Sequence, residues 1–191
     1  MESPPLQIAS EGFERRLDLV APEDWDKPTP CGQWSVRELV NHVAAELLWM
    51  PSLFQGRTIA EVGDRFDGDV LGSDPVGTWR SAAADAAAAS SEEGALERIV
   101  HLSFGDFPGQ AYAGQVTSDV IIHTWDLARA IGVDDQLGDE PMRFLMSFLD
   151  PQIEEWRNAG AFGPASNDDG DGSDQDRFLA RTGRSPRWPD A

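Results

Sequence analysis

Ser35 and Glu38 stand three residues apart, directly ahead of the apolar run Leu39, Val40, Val43 and Leu47. This S-x-x-E arrangement is a capping box, in which each side chain satisfies a backbone amide that the first helical turn leaves without a partner. The spacing of the apolar residues places them on one stripe of a helix. Pro51 marks the expected end of that helix. Other stretches repeat the pattern. Phe13, Leu17 and Val20 share a stripe over residues 6–20, and Pro28 and Pro30 then hold PTPCGQ as an irregular connection. Residues 56–74 are rich in Gly and Asp and read as a loop. Asp74 followed by Pro75 opens a helix that runs through Trp79 to Ser90. Residues 97–104, ERIVHLSF, fit a short helix or a short extended piece equally well, and GDFPG reads as a turn. A fourth long helix spans 110–131 and stops at Gly132. Asp139 and Pro141 open a fifth, ending near Asn158. Ser173 and Asp176 can cap a last short helix closed by Gly183. Four long helices joined by moderate connections predict an all-α fold, an antiparallel four-helix bundle with a short C-terminal helical extension. The expected organisation is a bundle over 1–160, an acidic flexible linker over 161–172 and a helical tail over 173–191.

The 191 residues suit one domain with a sizeable core, and seven Trp and 40% hydrophobic residues indicate a globular chain. A formal charge of -19 without any Lys/Arg cluster argues against nucleic acid and against an anionic membrane surface as partners. No apolar run approaches the roughly 20 residues of a bilayer span. MESPPLQIAS lacks the basic and apolar regions of a signal peptide, and Cys31 stands alone, so a reducing cytoplasm is expected. Cys31 reads as structural, since no base can be assigned to it.

Chemistry is concentrated in SDVIIHTWDLARA. Asp119 and His123 are four residues apart, so on a helix they lie one above the other and can hold a cation between them. Only three histidines occur: His42, His101 and His123. Bundles build metal sites from inward-facing side chains on neighbouring helices, which makes His42, Asp119 and His123 the candidate ligands. The competing reading is a buried histidine held by its i−4 carboxylate. Two imidazoles and a carboxylate leave coordination positions open, as catalytic sites require, and Zn, Fe, Ni or Mn is chemically acceptable. Glu46 is at i+4 from His42 and Asp126 at i+3 from His123. Either can fix an imidazole tautomer or act as a base, against a solvated face for Glu46 and a salt bridge to Arg129 or a structural hydrogen bond for Asp126. Trp34, Trp49, Trp79 and Trp125 read as core, with Trp125 next to His123 as a candidate wall of the site. His101 reads as a surface or packing residue. DDGDGSDQD, 168–176, reads as solvated linker rather than a calcium loop.

The stretch from Trp25 to His42, with its Pro-Thr-Pro-Cys block and capped helix, resembles the mycothiol-dependent maleylpyruvate isomerase metal-binding domain family. Asp119 to Gly132 resembles that family's second metal motif, and Phe178 to Trp188 an ending common in one actinobacterial branch. The resemblance implies the DinB-like superfamily of four-helix bundles. It implies a divalent metal, zinc first, on His42, Asp119 and His123. Two departures stand out: the characterised isomerase has Glu at the position of Asp119, and it carries a substantial further domain after the bundle. The expected function is therefore a metal-dependent transferase or isomerase that uses a small-molecule thiol, mycothiol, on a small electrophile. Arg65 and Arg80 are candidate receptors for an anionic substrate. The alternatives are a metal-binding module without turnover, closed by Glu46, or a metal-dependent hydrolase with Glu46 as base. A homodimer is compatible with such bundles, but no apolar stripe assigns an interface.

Overall fold

The computed structural model describes residues 4–32, 34–167 and 172–189. The long helices are α1 (Pro5–Leu17), α2 (Val36–Phe54), α4 (Pro75–Ser90) and α5 (Gly109–Ile131), with a short α3 (Ile59–Val62) between the second and third of these. Around the bundle α1 packs on α5, α5 on α2, α2 on α4, and α4 on α1. Contacts at the helix ends give the directions. Arg16 near the end of α1 bonds the carbonyls of Asp134 and Gln136 just past α5, so α1 and α5 are parallel. Arg37 and Asn41 at the start of α2 hold Gly72 and Gly68 just ahead of α4, so α2 and α4 are parallel to each other. Arg80 near the start of α4 reaches Glu14 and Asp18 at the end of α1, which sets the two pairs antiparallel. Parallel neighbours cannot be joined by a tight turn, so residues 55–74 return the chain along the bundle as a long crossover.

The expected capping box opens α2: the Ser35 side chain accepts from the Glu38 amide, and the Ser35 amide donates to Glu38 Oε2 at 2.8 Å. Leu39, Val40, Val43 and Leu47 are all buried. Pro51 does not end the helix. It removes one amide donor, but Leu53 and Phe54 beyond it are buried, and the last turn holds until the chain reaches Gly56 at φ +81°. Across the core Phe13 stacks on Trp79, ring centroids 5.0 Å apart. Helix α5 is buried around almost its whole circumference from Val116 to Ala128. Its hydroxyls therefore need partners, and Thr117, Ser118 and Thr124 donate to the carbonyls four residues back at 2.7, 2.9 and 2.7 Å.

Two stretches differ from expectation and a third, the last helix, meets it. The ambiguous 97–104 stretch is extended: β1 (Ile99–Leu102) pairs antiparallel with β2 (Gly105–Pro108), in register Ile99 to Pro108. GDFP is thus the second strand of a hairpin, tied to the bundle by Arg98 Nη1 donating to the Phe54 carbonyl at 2.9 Å. The fifth helix is two: α6 (Asp139–Phe148) and α7 (Ile153–Asn158) flank a 3-10 turn at Asp150–Gln152, where Pro151 has no amide to continue the ladder. Finally, α8 (Asp174–Arg181), capped by Ser173, buries Phe178 and Leu179 in the main core. Residues 168–171 of the acidic stretch lie outside the described residues. No described helix is long and apolar enough to cross a membrane.

Candidate metal centre

Helix α2 presents His42 and Glu46 toward α5, which presents Asp119 and His123 in return. His42 Nε2 lies 3.0 Å from Asp119 Oδ2, and His123 Nε2 lies 3.3 Å from Asp119 Oδ1. One carboxylate thus bridges two imidazoles on different helices. Aspartate is one methylene shorter than glutamate, yet it brings an oxygen to each ring. The rings meet edge to face with centroids 5.1 Å apart, and Trp34 packs against both, at 4.7 Å from His42 and 5.8 Å from His123. One donor atom from each of His42, Asp119 and His123 lies within 4.8 Å of the others. Ligands on one tetrahedral zinc stand about 3–3.5 Å apart, so modest side-chain rotation suffices to place all three on a cation.

A cavity of about 500 Å³ opens onto this trio, and Cys31, Trp34, Glu46 and Arg184 also line it. Asp119 keeps 31% of its side chain accessible, and protein encloses it on its other sides. Burial alone would raise the Asp119 carboxyl; His123 and His42 outweigh it and hold the group well below the usual carboxylate range. Glu46 goes the other way: burial, reinforced by Asp119, raises its carboxyl. A solvated helix face does not describe Glu46.

Behind His123 the chain builds a support. His123 Nδ1 lies 2.9 Å from Asp126 Oδ2, which is fully buried. Arg184, from the turn after α8, donates to both oxygens of Asp126, Nη2 to Oδ2 at 2.8 Å and Nε to Oδ1 at 3.3 Å. Asp126 is not in the cavity wall, so the arrangement suits it to fixing the Nδ1–H tautomer, with Nε2 facing Asp119, rather than to taking protons from a ligand. Cys31, His123 and Asp126 make a second close trio. Its carboxylate is already held by Arg184, and burial pushes the Cys31 thiol up to about 11, which keeps the sulfur protonated.

Burial alone would depress His123, but the Asp119 carboxylate, with Asp126, raises the imidazole to about 9. The folded value exceeds the ordinary one of about 6.5, so the stabilisation is complete below about pH 6.5 and is lost as pH rises through about 9. Chelator-treated protein is expected to melt at progressively lower temperature as pH is raised across that window. A zinc ion bound through His123 would have to displace this proton, so calorimetry in buffers of different ionisation enthalpy should show about one proton released per ion near pH 7. Zinc uptake without proton release would contradict the assignment of His123.

The other candidates separate clearly. Trp125 is buried away from the cavity, with the Arg129 guanidinium 5.7 Å from its ring centroid, so it does not wall the site. Arg129 pairs with Asp135 at 3.0 Å, not with Asp126. Arg65 and Arg80 are absent from the cavity wall, and Arg80 is held by Glu14 and Asp18. His101 faces solvent on β1 and bonds Asp106 at 2.7 Å. Trp34, expected in the core, lies on the site. Arg184 was not anticipated: no local pattern links it to Asp126, 58 residues earlier, and the RTGRSPRW ending is its one pointer.

The family model for the mycothiol maleylpyruvate isomerase N-terminal domain matches residues 6–128, which carry nearly all of the four bundle helices together with His42, Asp119 and His123. The chain belongs to this family. Two relatives from Mycobacterium tuberculosis, the uncharacterized proteins MT0763 (strain CDC 1551 / Oshkosh) and Rv0738 (strain ATCC 25618 / H37Rv), are each 28% identical over 169 residues, covering 77% of this chain and 79% of theirs. Among solved structures, a mutant of the mycothiol-dependent maleylpyruvate isomerase superposes with a TM-score of 0.65 at 21% identity. The enzyme itself gives 0.60 at 20%. Both matches cover 82% of this chain and 71% of the other. The fold of this family member is therefore the four-helix bundle of that isomerase, and its C-terminal extension closes over the face of α5 that carries Asp126 through Arg184.

Proposed function

We propose that this family member is a metal-dependent thiol enzyme, a transferase or isomerase that uses mycothiol on a small electrophile. The observation that carries the reading is the open cavity on the His42–Asp119–His123 trio, in a chain of a family named for a mycothiol enzyme. The donor set, two imidazoles and one carboxylate, suits a divalent ion, zinc first. Such an ion supplies a positive charge that lowers the pKa of a thiol and holds it as thiolate.

The remaining work falls to this chain's residues. Glu46 stands in the cavity wall, where burial and Asp119 raise its carboxyl, so it is placed to accept the thiol proton. Asp126 and Arg184 hold His123 in one tautomer, and Trp34 packs on both imidazoles. The sulfur lone pair then forms the S–C bond. In transfer, the leaving group departs with its bonding pair and takes up the proton from Glu46. In isomerisation, sulfur adds to one end of an activated C=C, the new single bond rotates, and sulfur is expelled. A closed, non-catalytic module would need a fourth protein ligand, but Glu46 lies outside the 4.8 Å grouping and the cavity opens on that side.

The test is to incubate metal-loaded protein with mycothiol and a panel of electrophiles, following thiol consumption and cis–trans conversion together. Turnover of at least one acceptor, lost on chelation, is expected. No thiol consumption and no isomerisation with any acceptor would overturn the reading.

A further inference from the structure

Beside the metal cavity lies a second chamber of about 510 Å³. The two share Gln115, Trp156 and Ala161 in their walls, so they adjoin. The second chamber is aromatic: Phe104 and Phe107 from the hairpin, Tyr112 from α5, Phe148 from α6 and Trp156 from α7 line it. Gly114 makes this geometry possible, because a Cβ there would lie 2.3 Å from the Phe148 ring. Phe104 stands at the rim, 65% exposed, with its ring 5.2 Å from that of Phe107 between centroids. Glu155 is the one ionisable side chain of acidic or basic sign in the wall apart from Tyr112, and no Lys or Arg lines it among the described residues. In the metal cavity the sole guanidinium is that of Arg184, already committed to Asp126.

We propose that this aromatic chamber binds the apolar part of the acceptor, and that the acceptor is a neutral, aromatic or alkyl-bearing electrophile rather than a small dicarboxylate. The inference rests on the thiol reading above for the word acceptor, but not for the binding itself. An apolar group gains on leaving water for such a pocket, roughly 25 cal/mol per Å² of buried surface. A dianion seated in this chamber would meet Glu155 with no Lys or Arg in the wall to offset it. The shared wall at Gln115 and Trp156 would leave the electrophilic carbon facing the metal cavity.

The test uses zinc-loaded full chain without thiol. Calorimetric titration with 1-chloro-2,4-dinitrobenzene as the neutral probe and maleate as the dianion should show the aromatic compound binding at least tenfold more tightly. Ala111→Trp, which fills the chamber from α5, should weaken the aromatic probe at least tenfold with zinc content unchanged. Glu155→Arg, at an exposed position that does not bear on folding, should raise maleate affinity several-fold. Maleate binding as tightly as the aromatic probe in wild type, or a Glu155→Arg protein with unaltered preference, would overturn the proposal. The two readings fail separately. Aromatic binding without any thiol turnover removes the thiol reading and leaves the chamber. Turnover confined to dicarboxylates removes the chamber and leaves the thiol reading.

Discussion

Arg184→Ala is expected to cost about 3–5 kcal/mol of stability, because it strands a buried carboxylate. Asp126 has no exposed side-chain surface, and its two oxygens are served by Arg184 and His123. Burial opposes its ionisation; Arg184 is the largest of the groups that overcome this and hold its carboxyl below the usual range. Removing the guanidinium leaves His123 as its one remaining charged neighbour. Urea unfolding of wild type and variant, each with and without zinc, measures the loss. A second consequence separates this support from simple packing. With Asp126 free to shift, His123 loses its fixed tautomer, and zinc affinity should fall about 10–100-fold. Arg184→Lys should restore part of the stability, but less of the affinity, since a point charge cannot reproduce the two-pronged contact. A change below about 1 kcal/mol in Arg184→Ala would mean that Asp126 finds another partner.

Glu46→Gln is the substitution expected to separate metal holding from chemistry. The amide keeps the shape of the carboxyl and cannot accept the thiol proton, so turnover should fall about 10²–10⁴-fold with bound metal unchanged. The pH profile carries the same information. Burial and Asp119 raise the Glu46 carboxyl, so the wild-type acid limb should lie above the ordinary glutamate value of about 4.3, with activity rising as the base form appears. That limb should vanish in Glu46→Gln. Wild-type turnover in the variant would assign the proton acceptor to another group.

How much of this could be seen in the sequence depends on the range of the interaction concerned. The start of α2 was legible because a capping box is a contact between neighbours, and the end of α5 because Gly132 adopts φ +75° in the left-handed region that favours glycine. The same local signal was present in Thr58 and Glu61, which cap α3, but the surrounding Gly- and Asp-rich stretch masked a helix of four residues. The hairpin was missed because each strand has four residues and gains its stability from the other and from Arg98. At the site, Asp119 and His123 could be paired because helical spacing alone brings them together. His42 could be named because histidines are few and α2 was already fixed. Arg184 and Trp34 could not, since their places depend on how α8 and the Pro-rich connection fold back over the bundle. Phe178 and Leu179, buried in the core, are what bring that return about.

Metal binding by His42, Asp119 and His123 underlies everything proposed for this cavity. Metal analysis of wild type and His123→Ala, both purified without added metal and both checked for helical content, tests it most directly. About one divalent ion per wild-type chain, lost in the folded variant, is the expected result. Metal-free wild type that takes up no zinc, with a variant indistinguishable from it, would show that the three residues form a partly buried polar cluster and not a metal site.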